Sequence, residues 1–541
     1  MKKASYKPGS LGWLGGAVGG GLILAAVLGV VIVRAAEGDA SPAVETNKDK
    51  KADKAAVARP KPEMSTGVRE VPNERAAFGP DPHYGNTYEP TQQIDIYGGK
   101  RTVYEQRPLV EIGQPLYVEG PLAENYNDVG AKNLLTPAFS IFGDWRTAFA
   151  YNDNGINKNA GQSGTQGQLA TRLNLETDLQ LTATERFHAL FRPLDLNGEF
   201  THVDLFGPNQ APGSLPLNVT PRTLFFEGDV GNITAGATDQ YQSFDLPFAV
   251  GLVPLLFQNG VWVNSALIGG AASVAGQNSP VFHISNMDVT FFSGFDDVTT
   301  PAIKNPDGKL TDHGLSVYGV ADFIEANEGY WESGVGWIQD NRGLPFNQSY
   351  GDATIAFTKR YFGWLSNSLR VVYAFGQDAQ PNGQHTADGV IFLVEDSLIS
   401  PKELVLVPYF NGFAGFGHPQ SLMRNGDAGG ILNNTGITFE TDGLTGFPTL
   451  DSSGQDTYGG AIGIEYLFNL DQQIVLEAST VQIRTNSIEI GRQAKGAEYG
   501  FELRYQRNIT NSLLFRADAM YGDELNQSNV FGVRAELRQK F

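Results

Sequence analysis

Read back from the C-terminus, the chain alternates. Phe541, Leu537, Ala535, Val533 and Phe531 fall on one parity, and Lys540, Arg538, Glu536, Arg534 and Gly532 fall on the other. Side chains of a strand point to opposite faces with a period of two. One face of this strand is apolar and the other carries charge. The same alternation recurs over some four hundred residues behind an apolar leader, in a chain with no cysteine. That combination is how a transmembrane β-barrel reads in sequence.

The leader is residues 1–36. Lys2, Lys3 and Lys7 give a positive start, and Leu11 to Val33 is nearly all apolar. Val33 and Ala35 occupy the small-residue positions of a secretory cleavage site, so this stretch is read as a signal peptide. Residues 37–85, with NKDKKADKAAVARPKPE at their centre, mix charges and are low in aromatics. Such a composition is expected to be a disordered linker. Residues 86–138 hold short β patterns and two similar units, Pro108 to Gly113 and Pro115 to Gly120. Too short for a core of their own, they are expected to pack on a barrel rim or form a partial plug.

From residue 139 to 541 the period of two dominates. Between Leu169 and Leu181 every odd position is leucine or threonine, while the even positions carry Ala170, Arg172, Asn174, Glu176, Asp178 and Gln180. No helical period fits this. Tyr499, Phe501, Leu503 and Tyr505 alternate with Glu498, Glu502, Arg504 and Gln506. Short links such as 182–185 and 508–511 are separated by longer polar stretches at 154–165, 376–388 and 418–454. The pattern predicts an all-β, up-and-down antiparallel barrel with one tight rim and one looped rim. Strands with their loops take roughly 22 to 25 residues each, which gives about 16 to 18 strands. Barrels of that size leave an aqueous interior. Mean hydropathy of −0.22 suits a membrane protein only if every second residue faces lipid.

Charge placement names the inward face. Arg146, Arg172, Arg192, Arg370, Arg504, Arg516, Arg534 and Arg538 lie on the parity opposite the aromatics, as do Glu176, Asp178, Glu465, Glu502, Asp518 and Glu536. An Arg or Lys on the lipid face near the midplane costs about 2–4 kcal/mol. These residues are therefore the candidate pore-lining set. Cross-strand ion pairing that only holds the wall together is the competing role. Residues 245–257, apolar with two prolines and no alternation, read as a loop that narrows the interior or meets another subunit.

Catalytic and metal signals are thin. The histidines, at 83, 188, 202, 283, 313, 385 and 418, are scattered, and no pair has HExxH spacing. His202 and Asp204 share a face, which fits a lumen wall better than a dyad. Gly294 to Asp297 and Asp451 to Asp456 are acidic turns without a complete calcium-loop spacing. No cofactor or metal is implied. A formal charge of −20 argues against nucleic acid as a partner.

Three stretches carry a resemblance: Phe142 to Arg146, Leu224 to Gly236, and Val533 to Phe541. On them the chain resembles Gram-negative outer-membrane porins, most specifically those of the alginate-export and carbohydrate-porin type. The resemblance implies that Leu224 to Gly236 forms a strand, a tight turn and a second strand. It implies that Phe541 is an assembly signal read by the barrel-assembly machinery. It also implies an outer-membrane location amid lipid and a water-filled pore, while the family's substrate does not carry over; small hydrophilic solutes, with carbohydrates as one class, and a homotrimer as one assembly state are separate expectations. No enzyme activity is expected. An outer-membrane lipase or deacylase barrel, or a plugged structural barrel, is the alternative. Deleting Phe541 is expected to lower the yield of folded barrel, scored as the fraction of unheated protein that keeps its faster gel mobility.

Overall fold

The computed structural model describes residues 108–113 and 126–541, apart from 156–163, 197–198, 208–212, 306–309, 345, 381–382, 399–405, 438–442, 470–471 and 487–490. The signal segment 1–36, the linker 37–85 and most of 86–125 lie outside the described residues.

A short strand β1 (Val110–Gly113) precedes the wall. The first part of the wall is β2 (Ala138–Asp153), β3 (Thr165–Gln180), β4 (Arg186–Phe191), the short β5 (Asp195–Leu196), β6 (Glu199–Phe206) and β7 (Pro221–Asp229). Next come helix α1 (Val230–Thr238), β8 (Pro247–Phe257), β9 (Val263–Ser279), β10 (Ile284–Asp296), β11 (Leu315–Ala326) and β12 (Gly329–Asp340). They are followed by β13 (Tyr350–Tyr361), β14 (Leu365–Phe375), β15 (Asp388–Leu398), β16 (Leu406–His418) and the two-residue β17 (Met423–Arg424). The wall ends with β18 (Thr457–Asn469), β19 (Gln472–Ile483), β20 (Glu498–Asn508), β21 (Leu513–Glu524) and β22 (Val530–Lys540).

Wall neighbours pair antiparallel, and β22 closes the ring on β2 from Asp144–Lys540 to Asp153–Phe531. β4 and β6 share one place beside β3, β4 near the tight rim and β6 above it, with residues 192–196 inserted between them. The wall therefore has eighteen strand positions, the upper end of the expected count.

The alternation sorts as charge placement requires. Phe501 (62 % exposed), Ile462 (64 %) and Val533 (56 %) point outward, while Arg146, Arg534, Asp518 and Glu536 are buried on the inner side. Outward rings meet near both rims. Phe187, Phe226 and Phe248 touch in a row at the tight rim, with centroids 4.9 and 5.9 Å apart. Tyr151 lies 5.4 Å from Phe206 and 5.7 Å from Phe531 at the looped rim. Aromatic girdles at two levels with an aliphatic band between them match the interfaces of a bilayer.

Two expectations are corrected. Residues 247–257 are not a loop but wall strand β8, paired to β7 and β9. Alternation is absent because both faces are apolar: Val250 and Leu256 face out, and Val253 and Leu255 pack on the loop side chains inside. Residues 230–238 are not the second strand of a hairpin but helix α1. Asp229 caps it, its carboxylate accepting from Asn232 N at 2.8 Å and from Leu246 N at 2.7 Å. That cap satisfies an otherwise orphaned N–H.

At the tight rim, β1 pairs with the first residues of β2, from Val110–Ile141 to Gly113–Ala138. Gly130 and Gly236 approach backbone to backbone, so closely that a Cβ on Gly130 would lie 2.0 Å from the Gly236 carbonyl oxygen. Glu185, only 6 % exposed, ties these parts together. Its carboxylate accepts from Thr182 Oγ1, from Asn133 Nδ2 and Thr184 Oγ1 at 2.8 Å, and from Asp229 N at 3.4 Å. Burial alone would push this carboxyl up; the hydrogen bonds from Thr182, Asn133, Thr184 and Asp229 reverse that and hold it below the usual 4.5. A depressed folded pKa adds stability that is full above the unfolded value and is lost as pH falls through the folded one. Glu185→Gln is expected to cost about 1–3 kcal/mol near pH 7 and to flatten the acid limb of the stability curve, measured by urea unfolding at neutral and acidic pH.

Candidate functional site, the lumen wall and the loop that enters it

The inward parity builds a band of opposed charges across adjacent strands β20, β21, β22, β2 and β3. Arg504 and Arg516 donate to Asp518 at 2.8 and 2.9 Å. Arg534 lies 3.7 Å from Asp518 and also pairs with Glu536. Arg146 grips Glu536 with three contacts of 2.8–3.0 Å. Arg538 reaches Asp144, and Arg172 lies 3.9 Å from Asp195. A bidentate guanidinium–carboxylate pair fixes geometry as well as charge. Across the lumen Arg370 holds Glu395 at 3.1 Å.

These residues do not share one environment. Arg146, Arg172, Arg370, Glu502, Asp518, Arg534 and Glu536 are buried. Arg504, Arg516 and Arg538 are partly open, Glu176 is exposed, and Asp178 and Glu465 are half-buried. Arg192 sits not on a strand but in the turn inserted between β4 and β6. His188, also inward, lies 2.9 Å from Glu227. His202 Nε2 lies 4.0 Å from Asp204, and its Nδ1 is 2.7 Å from the Phe200 carbonyl oxygen. Among the described residues no three His, Asp or Glu side chains converge as metal ligands would.

Part of the wall is buried because residues 419–437 and 443–456, between β16 and β18, fold into the barrel. Leu422, Met423, Ile431, Leu432, Leu444, Phe447 and Leu450 are nearly inaccessible. All but Leu444 join inward wall side chains such as Leu267, Val317, Ile338, Val372, Ile391 and Met520 in one continuous core, and Leu444 packs with Ala148 and Ala170 in a separate cluster. Glycines on the wall leave the room. A Cβ on Gly336 would lie 2.2 Å from Leu422, one on Gly334 2.4 Å from Trp262, and one on Gly532 2.6 Å from Phe447. Strand glycines at such points mark close approach rather than weakness.

Polar bonds fix the loop's position. β17 pairs in parallel with Val263–Asn264 of β9. Arg424, fully buried, donates to the carbonyls of Gly260 (2.6 Å), Ala428 (2.8 Å), Gly429 (2.9 Å) and Asn433 (3.4 Å). The Tyr350 hydroxyl meets Thr300 Oγ1 at 2.6 Å and the carbonyls of Ser421 and Leu422 at 3.0 Å. Trp262 donates to Asp352 at 2.7 Å. Asp451 accepts from the backbone N of Ser453, Gln493 and Ala494 at 2.8–3.1 Å, binding the loop to the 484–497 connection. The acidic turn 451–456 is thus a fastening. Sequence reasoning missed Arg424, since a lone arginine in an irregular loop carries no periodic signal.

The loop returns a charge to the wall. Asp427, in a short 3-10 turn (Gly426–Ala428), faces Arg192 at 3.7 Å. Arg192 and Arg222 flank Asp195, at 4.0 and 2.6 Å, and both keep about a quarter of their side-chain surface open. Acid and base therefore confront each other between the loop and the wall, in a site that retains contact with solvent. Opposed charges so placed set up a local transverse field.

No protein-family model and no curated protein matches the chain. Solved structures similar to it include a BenF-like porin from Pseudomonas fluorescens Pf-5, at 12 % identity and TM-score 0.49, over 74 % of this chain and 98 % of that one. OccAB3 of Acinetobacter baumannii is similar at 13 % identity and TM-score 0.47, over 74 % and 99 %. The outer membrane protein OpdK of Pseudomonas aeruginosa is similar at 10 % identity and TM-score 0.45, over 74 % and 98 %.

Arg424→Ala removes the donors that tie the loop to the 258–262 turn while leaving the wall intact. The expected outcome is a larger and noisier single-channel conductance with unchanged heat-modifiable gel mobility.

Proposed function

We propose that the protein is an outer-membrane channel of a Gram-negative-type bacterium that lets small hydrophilic solutes diffuse passively. One observation carries this reading: a closed ring of strands, apolar outside and charged inside, holds a fastened loop that narrows it without covering Arg192, Arg222 and Asp427. Selection then rests on size and on the field between opposed charges, with no covalent step. The tight rim faces the periplasm and the looped rim faces outward, as short turns and long loops do in such barrels. Lipid surrounds the aliphatic band, the barrel-assembly machinery reads Phe541, and a homotrimer is the proposed assembly.

Carbohydrates are the proposed solute class within this reading. Paired guanidinium and carboxylate groups offer donors and acceptors with little net charge, which suits polyhydroxy solutes. The pore-lining role falls on Arg192, Arg504, Arg516, Arg538, Glu176, Asp178 and Glu465. Arg146, Arg172, Arg370, Arg534, Glu502, Asp518 and Glu536 hold the wall and set its field from beneath.

Planar-bilayer recording tests the reading. Purified, folded protein is expected to give discrete ion-conducting steps, and none would sink it. Asp427→Asn is expected to shift the reversal potential in a salt gradient toward anion preference, and Arg192→Gln toward cation preference. Addition of a neutral oligosaccharide is expected to lower the conductance.

A further inference from the structure

The wall is not stitched evenly. β7 pairs with β8 only from Asp229–Pro247 to Leu224–Leu252. Beyond Leu252, β8 continues for residues 253–257 and bonds only on its far edge, to β9 as far as Phe257–Val263. The chain that faces this stretch, 213–223, is bonded the other way. Ser214 and His202 exchange backbone bonds of 2.9 and 3.0 Å, and Asn218 N donates to the Pro193 carbonyl at 3.0 Å. Asn218 Nδ2 donates to the Asp195 carbonyl at 3.1 Å, and Arg222 binds the Asp195 carboxylate at 2.6 Å. Among the described residues no hydrogen bond crosses from 213–223 to 253–257.

Sequence explains why this seam stays unzipped. Pro216 and Pro221 on one side and Pro254 on the other have no N–H to give. A register shift between Leu190 and Phe191 bulges β7 at its entry and turns Arg222 inward. The unstitched length is five residues, about 16 Å, in the looped half of an eleven-residue strand that is just long enough to cross a bilayer.

The side chains on the outer face of the seam are largely apolar, with Thr220 the exposed exception. Its outer lips carry Leu215 (65 % exposed), Leu217 (70 %), Val219 (85 %) and Leu256 (64 %). Behind them lie Val253, Leu255 and Phe257, and Phe257 packs on Phe292 and Trp262 at 5.5 and 6.0 Å. Open backbone edges do not otherwise occur against lipid, since each unmatched group costs several kcal/mol in hydrocarbon. A break with aliphatic lips and an aliphatic floor therefore suits a guest with no charge and little hydrogen-bonding demand.

We propose that the seam between β7 and β8 is a lateral portal through which small uncharged apolar molecules pass between the lumen mouth and the outer half of the bilayer. This rests on the reading of the chain as a membrane-embedded barrel, and it adds a second route beside the aqueous one.

The test uses the full chain in vesicles whose outer leaflet is lipopolysaccharide, with N-phenylnaphthylamine as the apolar probe and ion conductance recorded in parallel. Wild-type protein is expected to speed probe uptake several-fold over protein-free vesicles. The lip variant Leu217→Lys with Val219→Lys is expected to lose that gain and keep its ion steps. Thr223→Cys with Val253→Cys, placed opposite by extending the β7–β8 register, staples the seam in a chain with no native cysteine. Oxidation is expected to abolish the gain and reduction to restore it, with disulfide formation scored by loss of free thiol. Should the staple not form, the lip variant decides. Wild-type uptake no faster than in protein-free vesicles, or uptake untouched by the lip variant, overturns the portal. Fast, lip-dependent uptake without ion steps upholds the portal and overturns the aqueous channel.

Discussion

Everything in the wall depends on the backbone finding its partners without water. In hydrocarbon only a closed sheet or a helix achieves this, and here closure is made where β22 meets β2. Their ten register pairs join residues at opposite ends of the barrel sequence. Once the ring is closed, each strand has one face to give to lipid and one to the interior. The polar and charged residues then have a single place to go, so the inward arginines follow from closure as much as from any solute they meet.

The interior is divided by height. Toward the tight rim it is polar, with Glu176, Asp178, Arg516 and Arg538 accessible to different degrees. Toward the looped rim it is a hydrophobic core like that of a soluble domain, assembled from wall side chains on one side and the loop between β16 and β18 on the other. Wall glycines make room for it, because Gly336 and Gly532 accept Leu422 and Phe447 of the loop, and Gly334 accepts Trp262 of the 258–262 turn, where any Cβ would collide. The loop's weight rests on packing, and its position is set by buried polar bonds. Arg424 bridges several carbonyls at once, a demanding arrangement that leaves unsatisfied groups when any partner moves.

How much of this was legible depends on what decides each residue's face. Leu169 to Leu181 was readable because lipid outside and water or charge inside impose opposite chemistry on neighbouring residues. β8 was not, because its inner face meets apolar loop residues far away in sequence, which erases the contrast that alternation relies on. Helix α1 escaped because Val230 to Thr238 is small and weakly patterned, its start is fixed by the Asp229 cap, and its last turn packs through Gly236 against Gly130. Apart from Arg192, which lies off the strands, the charged rows share the parity opposite the outward aromatics. Their division into buried struts and open contacts was invisible, since it is drawn by where the loop lies.

The parallel pairing of β17 with β9 and the reach of Arg424 to Gly260, 164 residues back along the chain, impose an order on assembly. The loop has nothing to dock on until β8, β9 and the strands after them stand in place. A ring completed before its tenant arrives is a broad, indiscriminate hole. The interior is thus furnished by a segment whose seat lies far back along the chain, so the wall and its filling are two separable parts of one fold.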